Sequence, residues 1–314
     1  MQQWYYPFPD YKLPFEIHSD RFLPTPEEMK SYGNATFDAD RWEVFSEQAA
    51  LASVIPAGLY PEFANSFLVV CSADRLDEEA LPCYVHFAKN RPKAYRIGTA
   101  VYEQAGTRRV EKFARTLEAR AHLAAIAENG VALEALYGKE MVAASRLRSS
   151  DVLVCDYAEG MSFTSFCLQS IRERGLDGFL DCLNFFAAYL VRGSETPVPT
   201  GMGWHQPGRR YDVDLTFDNV IVQGGSLKII DYEFLGQQRC QLYAILHALA
   251  VFRERYESVW LSMGLDLEMK YFREAYQVTQ TEWEAFYRDE SAFYAGLYES
   301  IMARYKRERR PWQP

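Results

Sequence analysis

The sequence predicts an α+β protein in two lobes, because its strand-like and helix-like segments occupy different parts of the chain. Between residues 65 and 163, short runs of β-branched and aromatic residues dominate, with one helical segment among them. After residue 164 the pattern changes to long helical segments that one hairpin interrupts. Strands followed by helices are typical of α+β folds, whereas α/β folds alternate the two. We therefore expect a small antiparallel sheet with one helix in an N-terminal lobe, residues 61–155, and a mostly helical C-terminal lobe, residues 156–314.

Length, composition and charge limit the classes of function. The chain has 314 residues, 48% of them apolar, which is enough to bury a core in one large domain or two packed lobes. A net charge of −9 argues against nucleic-acid binding as the main role. The six cysteines and five histidines are dispersed, so we predict neither a disulfide framework nor a zinc site. No signal peptide or membrane span is recognisable, and we expect a soluble, cytoplasmic protein.

The N-terminal extension and the N-terminal lobe are predicted from seven segments. Residues 1–60 are rich in proline and aromatic residues, and we expect an irregular extension packed on the main fold. Residues 94–114 contain two strand-like runs around the turn "QAGT", which indicates a hairpin. Residues 115–129 carry apolar side chains at helical spacing and predict a helix that ends at Gly130. Further strands are expected at 65–73, 83–90, 141–147 and 151–163.

The C-terminal lobe is predicted to be helical around one hairpin. Residues 165–175 and 176–193 are two helical segments, the second strongly apolar. Long helices are also expected over 240–263 and 267–305. Between these two groups lies "YDVDLTFDNVIVQGGSLKIIDYEF", residues 211–234, in which the apolar runs "NVIV" and "LKII" flank the turn "QGG".

Three polar side chains stand at the ends of this hairpin. Asn219 precedes the first strand, Asp231 follows the second, and Asp214 lies five residues before Asn219. A hairpin brings its two ends together, so Asn219 and Asp231 are expected side by side. A carboxylate and an amide oxygen form a hard donor pair of the kind that Mg²⁺ takes together with phosphate oxygens. A second carboxylate nearby can orient a hydroxyl nucleophile and accept its proton. The alternative is an ordinary hairpin with solvated acids at its ends.

The segments "DLTFDN" and "LKIIDYE" resemble the catalytic loop and the metal-binding segment of the protein-kinase-like superfamily. The resemblance implies that Asp214 is the catalytic aspartate and that Asn219 and Asp231 hold Mg²⁺. It implies ATP as the phosphoryl donor, in the cleft between the lobes. The resemblance spans about residues 61–260, in matching order.

The N-terminal lobe extends the resemblance. "RRVEKFA" resembles the strand that carries the phosphate-binding lysine, which makes Lys112 the candidate, unless it is a solvated lysine on an exposed strand. Its acidic partner is expected on the following helix, at Glu118 or at Glu128. "VLVCDYAEGMSF" resembles the hinge between the lobes, which implies that the backbone of Asp156, Tyr157 and Ala158 binds adenine.

Several positions depart from the family pattern. Asp212 stands where the superfamily often has histidine, and Tyr232 and Glu233 follow Asp231 in place of Phe-Gly. No G-x-G-x-x-G motif precedes Lys112, so a phosphate-covering turn must come from the region of Gly98 or Gly106. These departures support a second hypothesis, a pseudokinase that binds nucleotide or acts as a scaffold without catalysis.

The segment after Asp231 bears on the acceptor. A helical pattern follows "DYEF" almost at once, leaving no activation segment to hold a peptide, which disfavours a protein kinase. Short segments of this kind resemble the atypical small-molecule and glycan kinases. Together with "NSFLVV" and "RRVEK", they resemble the kinase domain of bacterial O-antigen chain-terminating (methyltransferase-)kinases. That branch implies a sugar hydroxyl on a surface polysaccharide, or a related small molecule, as the acceptor.

Five basic residues are concentrated near the C-terminal end, at Arg304, Lys306, Arg307, Arg309 and Arg310. One interpretation is a solvated helix end whose cations complement the helix dipole. The other is a peripheral contact with an anionic membrane, at the inner face, or with a partner subunit.

Overall fold

The computed structural model describes residues 2–26, 47–74, 77–88, 91–192, 211–212, 215–236 and 241–297. Within these ranges the predicted α+β class is confirmed, since an eight-stranded antiparallel sheet accompanies a helical part. The chain forms two compact units. The first comprises Met1–Leu123, Leu147–Cys155 and Ala295–Pro314, and the second comprises Ala124–Arg146 and Asp156–Tyr294.

The large sheet has the strand order β3-β1-β2-β4-β5-β6-β8-β7. Its strands are β1 (Gln2–Phe8), β2 (Glu16–Ser19), β3 (Leu68–Cys71), β4 (Tyr84–Phe87), β5 (Ile97–Gln104), β6 (Thr107–Ala114), β7 (Ser145–Ser149) and β8 (Val152–Asp156). The hairpin predicted over 94–114 is confirmed as β5 and β6, which pair from Ile97 with Ala114 to Gln104 with Thr107. Ala105 and Gly106 form its turn with φ of 48° and 76°, the left-handed geometry of a two-residue hairpin.

The N-terminal residues correct the sequence prediction. Irregular structure was expected over residues 1–60, but β1 and β2 are strands of the large sheet, and β1 pairs with β2 and β3 on its two sides. The proline at position 7 argues against a strand, since proline cannot donate to a ladder. Here Tyr5 pairs with Ser19 and Phe8 with Glu16, so residues on both sides of Pro7 hold the strand.

The remaining elements of the described residues are eight α-helices and five short strands. They are α1 (Glu47–Val54), α2 (Tyr60–Phe63), α3 (Arg120–Tyr137), β9 (Met161–Ser162), α4 (Phe163–Arg192), β10 (Tyr211–Asp212), β11 (Val220–Gln223), β12 (Ser226–Ile229), β13 (Leu235–Gly236), α5 (Gln241–Arg255), α6 (Glu257–Ser262), α7 (Lys270–Ala275) and α8 (Gln280–Leu297). The two helices predicted over 165–193 correspond to α4, which Gly175 interrupts with a φ of 60° and a ψ of −137°. No helix in the described ranges has the length and apolarity needed to cross a bilayer.

An aromatic cluster forms the core of the second unit. Phe217 lies 5.2 Å from Phe163, 5.1 Å from Phe186 and 5.7 Å from Phe252, measured between ring centroids. All four side chains are buried. Phe217 belongs to the turn that precedes β11, so the core anchors the start of the hairpin whose ends were predicted to carry the chemistry.

The predicted end of α3 at Gly130 is wrong, because the helix continues to Tyr137. A side chain at Gly130 would place its Cβ 2.9 Å from the ring of Tyr232 and 3.0 Å from Ser145 Oγ. Gly130 therefore permits a close approach within the helix. The residue after the helix, Gly138, has a φ of 97° and occupies the position where glycine commonly ends a helix.

We expect Gly130→Ala to lower the free energy of unfolding by about 1–3 kcal/mol, because the added methyl group overpacks a site whose neighbours are held. Helix propensity alone would change it by about 1 kcal/mol in the opposite direction. Chemical denaturation measures the difference. The matched control is Gly296→Ala, where the exposed Gly296 of α8 has nothing within 4 Å of an added Cβ, so stability should rise or stay the same. Equal effects at the two glycines would contradict the packing argument.

Candidate functional site

The hairpin predicted over residues 219–231 is confirmed and brings its ends together. Strand β11 pairs with β12 from Val220 with Ile229 outward to the turn, where Gly224 and Gly225 have φ of 55° and 80°. Just beyond the paired strands, the backbone N–H of Ile230 donates to the carbonyl of Asn219 at 2.9 Å. Asn219 therefore lies beside the residue that precedes Asp231.

The hairpin is held on both edges by other backbone segments. On the β11 side, Ile221 pairs with Ser162 of β9. On the β12 side, the N–H of Ile229 donates to the carbonyl of Met141 at 2.7 Å, and the N–H of Ala143 donates to the carbonyl of Ile229 at 2.9 Å. Backbone hydrogen bonds on two edges fix the position of both hairpin ends within the second unit.

Asp231 has a left-handed backbone, with a φ of 56°. Aspartate tolerates this region better than most residues, but a non-glycine residue adopts it at some energetic cost. Such conformations persist where the surrounding structure imposes them, and they are concentrated at functional sites. Asp231 is partly exposed. The backbone conformation supports a functional role for this residue.

The two residues after Asp231 are held by three hydrogen bonds. Buried Tyr232 donates its hydroxyl hydrogen to the carbonyl of Ala143 at 2.5 Å. The side-chain amide of Asn129, on α3, donates to the carbonyl of Tyr232 at 3.3 Å and to that of Glu233 at 3.1 Å. These bonds hold the chain on the C-terminal side of Asp231.

Asn129 was not identified in the sequence. Gly130 was predicted to end the helix because glycine commonly occupies that position. In the structure the asparagine satisfies backbone carbonyls of a distant segment and the glycine admits the ring of Tyr232. The Asn-Gly pair inside a helical pattern was the available sequence signal for this contact, but it does not reveal that the partner is the segment after Asp231.

Asp214, the predicted catalytic residue, lies outside the described residues, but the chain on either side of it is described. Two residues earlier, Asp212 of β10 pairs with Leu235 of β13. Immediately after it, Leu215 is buried at 1% exposure. The pairing of β10 with β13 places the segment before Asp214 alongside the segment that follows Asp231, with backbones about 5 Å apart. Helix α5 then begins at Gln241, so the segment between Asp231 and the helix is short, as predicted.

The carboxylate and the amide oxygen at the hairpin ends suit Mg²⁺ better than a metal ion whose ligands all come from the protein. Among the residues that the structure describes, no group of three or more His, Cys, Asp or Glu side chains is placed to hold a metal. Asp231 and Asn219 offer one carboxylate and one amide oxygen at joined hairpin ends. Mg²⁺ is commonly held by one or two carboxylates together with substrate phosphates and water, whereas structural zinc needs four nitrogen or sulfur ligands. The pair therefore fits Mg²⁺ in the presence of a phosphate ligand.

Lys112 is buried in the first unit, which contradicts the alternative of a solvated strand lysine. Its exposure is 5%, and on β6 it pairs with Thr99 of β5. The neighbouring Glu111 is also 5% exposed and lies on the opposite face, because successive strand residues alternate. A lysine is seldom buried to this extent unless its charge is used or compensated.

Glu111 was not predicted as a notable residue. Arg148 binds its carboxylate at two points, with Nη1 2.6 Å from Oε1 and Nη2 3.1 Å from Oε2. Arg109 Nε adds a third contact to Oε1 at 3.1 Å. Burial raises the pKa of Tyr102, and the nearby Glu111 carboxylate raises it further. The network compensates the charge of Glu111 on its own face of the sheet, and nothing in a local sequence pattern pairs Glu111 with Arg148.

The other predicted nucleotide-binding residues lie in a turn, in the middle of a helix and at the end of a strand. Glu118 is exposed in the turn Leu117–Ala119 before α3, and Glu128 is exposed on α3. Asp156 ends β8 and donates its N–H to the carbonyl of Ala144 at 2.9 Å, and Tyr157 and Ala158 follow it, half-buried. Their roles stay predictions.

The two candidate glycines differ in their surroundings. Gly98 lies within β5 under the ring of Phe113, where an added Cβ would meet Phe113 Cζ at 2.3 Å. Gly106 lies in the open turn between β5 and β6. Of the two, only Gly106 is in a turn. The basic cluster from Arg304 to Arg310 falls outside the described residues.

The chain is remotely similar to solved structures of two other proteins. No protein-family model and no curated protein sequence matches the chain. Among solved structures, the apoenzyme of the macrolide 2'-phosphotransferase from Brachybacterium faecium is 11% identical with a TM-score of 0.29, and the match covers 54% of this chain and 70% of that one. The ternary complex of streptomycin, ATP and APH(2")-IIa is 12% identical with a TM-score of 0.32, over 64% of this chain and 92% of that one. Similarity this remote assigns no activity to the chain.

We expect Tyr232→Phe to lower the free energy of unfolding by about 1–2 kcal/mol, because the buried carbonyl of Ala143 loses its hydroxyl donor. Chemical denaturation measures the change. Tyr271→Phe is the control, since Tyr271 is 44% exposed and its hydroxyl loss should have almost no effect. An equal and small change in both variants would show that the Tyr232 hydroxyl does not hold this segment.

Proposed function

We propose that the chain is a Mg-ATP-dependent phosphotransferase of the protein-kinase-like type that acts on a hydroxyl group of a sugar or another small molecule. The observation that carries the proposal is the joined pair of hairpin ends, where Asn219 lies beside the residue preceding Asp231 and Asp231 is held in a left-handed conformation. Phosphoryl transfer needs metal ligation, positioning and charge neutralisation more than covalent chemistry by the protein.

Each residue has a separate task in this proposal. Asn219 and Asp231 would hold Mg²⁺, which when bound neutralises phosphate charge. Asp214 orients the acceptor hydroxyl and accepts its proton. Lys112 binds the α- and β-phosphates, and its burial in β6 limits the directions that its ammonium group can take. The backbone of Asp156, Tyr157 and Ala158 binds adenine, and Glu118 or Glu128 orients Lys112.

A small acceptor is favoured by the short connection between Asp231 and α5. Strand β13 follows Asp231 after three residues and pairs with β10, and α5 begins at Gln241. A protein kinase uses a long segment at this point to hold a peptide. Within the small-molecule class, the resemblance to O-antigen chain-terminating kinases makes a bacterial surface polysaccharide the acceptor that we propose, with peripheral contact at the membrane through the basic C-terminal residues.

A second candidate is a nucleotide-binding module without catalysis. The turn between β5 and β6 consists of Ala105 and Gly106, so it offers few backbone N–H groups to a phosphate. Glycine-rich loops bind phosphate through several such groups. This candidate predicts binding of nucleotide but no transfer to any acceptor.

We expect Asp231→Asn to abolish the Mg²⁺-dependent part of ATP binding while the protein stays folded. A ligand at one hundred times its dissociation constant stabilises the native state by about 2.7 kcal/mol, which thermal unfolding detects. Wild type should gain stability from ATP with Mg²⁺ and much less from ATP with EDTA. The matched control is Asp181→Asn, an exposed acid on α4. Absence of any Mg²⁺-dependent shift in wild type would overturn the proposed function.

We expect Lys112→Met to weaken ATP binding at saturating Mg²⁺ by about tenfold without loss of the fold. Methionine retains much of the apolar stem of lysine, so packing in the sheet is kept while the phosphate contact is lost. Calorimetric titration with a non-hydrolysable ATP analogue measures the affinity. Lys270→Met on the exposed face of α7 is the control. Unchanged affinity in Lys112→Met would remove Lys112 from the nucleotide site.

A further inference from the structure

A charged contact lies directly beside Asn219. Thr164 donates its hydroxyl hydrogen to Asp218 Oδ1 at 2.8 Å, and Arg255 Nη1 donates to Asp218 Oδ2. The three residues come from the first turn of α4, the turn before β11 and the last turn of α5. We call this contact the Asp218 clamp, formed by Thr164, Asp218 and Arg255.

The Asp218 clamp is more enclosed than an ordinary surface ion pair. The side chains of Arg255 and Asp218 are 20% and 29% exposed, and Thr164 is 2% exposed. The Arg255 guanidinium also lies 5.4 Å from the centre of the Tyr256 ring. By contrast, the pair of Arg174 and Asp181 on α4 has side-chain exposures of 51% and 61%.

Other contacts besides the clamp hold this turn. Phe217 already anchors the turn in the aromatic core, and the N–H of Asn219 donates to the carbonyl of Thr216 at 3.0 Å. Replacing an enclosed ion pair by apolar residues is often neutral for stability, because the desolvation of two charges offsets their attraction. We therefore interpret the charged contact as one that sets the direction of the neighbouring residue Asn219, rather than as one that adds stability.

The turn couples Asp218 to Asn219. Phe217–Asn219 is a single 3-10 turn, in which successive side chains point about 120° apart. Phe217 is directed into the core and both oxygens of Asp218 are held by Thr164 and Arg255. With the turn held at two of its three residues, the direction of the Cα–Cβ bond of Asn219 is determined as well. The clamp also occupies the carboxylate that stands next to Asn219 in sequence.

We propose that Thr164 and Arg255 are positioning residues for the Mg²⁺ site: by holding Asp218, they direct the amide oxygen of Asn219 toward the metal and keep the Asp218 carboxylate out of the donor set. This inference rests on the proposed function, since it requires that Asn219 and Asp231 hold Mg²⁺. Residues that orient metal ligands in this way typically change metal affinity by about 10–100-fold when they are replaced.

The test measures the Mg²⁺ concentration that gives half-maximal enhancement of ATP binding, together with ATP affinity in EDTA. We expect Arg255→Met and Thr164→Val to raise that Mg²⁺ concentration by about tenfold or more, and to change metal-free ATP affinity by less than about twofold. Thr164→Ser keeps the hydroxyl donor and should match wild type. Arg174→Met breaks the exposed pair on the same helix and should also match wild type. Mn²⁺ titration followed by electron paramagnetic resonance gives metal affinity without any turnover.

The outcomes separate the inference from the proposed function. If wild type shows no Mg²⁺-dependent ATP binding, the proposed function fails and this inference fails with it. If wild type binds MgATP and the clamp variants need no more Mg²⁺ than wild type, the inference alone is overturned. Equal loss of ATP affinity with and without Mg²⁺ would show a merely structural role and would also overturn it. Should Arg255→Met not fold, the comparison of Thr164→Val with Thr164→Ser decides, since valine closely matches threonine in shape.

Discussion

The candidate site depends on the hydrogen bonds that hold Ile229 between two backbone segments. Its strand pairs with β11 on one side and with residues 141–143 on the other. This places the end of the hairpin in the interior of the second unit, where a shift of one residue would turn every side chain to the opposite face. The register of this strand sets the position of Asp231, which has a left-handed backbone. It also sets the position of the next two residues, whose carbonyls accept hydrogen bonds from Asn129.

Three acids of the chain show that carboxylates lie in different surroundings. Glu111 and Asp218 are each contacted by arginine and by a further donor, so their charges are compensated within the fold. Asp231 lies at the end of a strand, has a left-handed backbone and is partly exposed. Glu111 and Asp218 thus support the fold, and Asp231 is the carboxylate that we propose for metal binding.

Sequence patterns were reliable where neighbouring residues decide the structure. Alternating apolar runs around "QAGT" and "QGG" predicted both hairpins, and the spacing of Asn219 and Asp231 predicted that the hairpin ends meet. The patterns failed where a distant segment decides. Pro7 argued against a strand that pairs with residues 16–19 and 68–71, and Gly130 was taken as a helix end although it packs against Tyr232, which lies 102 residues later in the chain.

The α+β class, both hairpins and the three polar residues that resemble a phosphoryl-transfer site follow from the sequence alone, whereas strands β1 and β2 do not. Backbone propensity and apolar periodicity act over a few residues, so one chain segment is enough to reveal them. The three-dimensional structure is needed to show that Lys112 is buried, that Asn129 and Tyr232 hold the chain after Asp231, and that Thr164 and Arg255 hold Asp218. Each of these contacts joins residues that are far apart in the chain, and their energies arise only when packing brings the partners to within hydrogen-bond distance and excludes water from them.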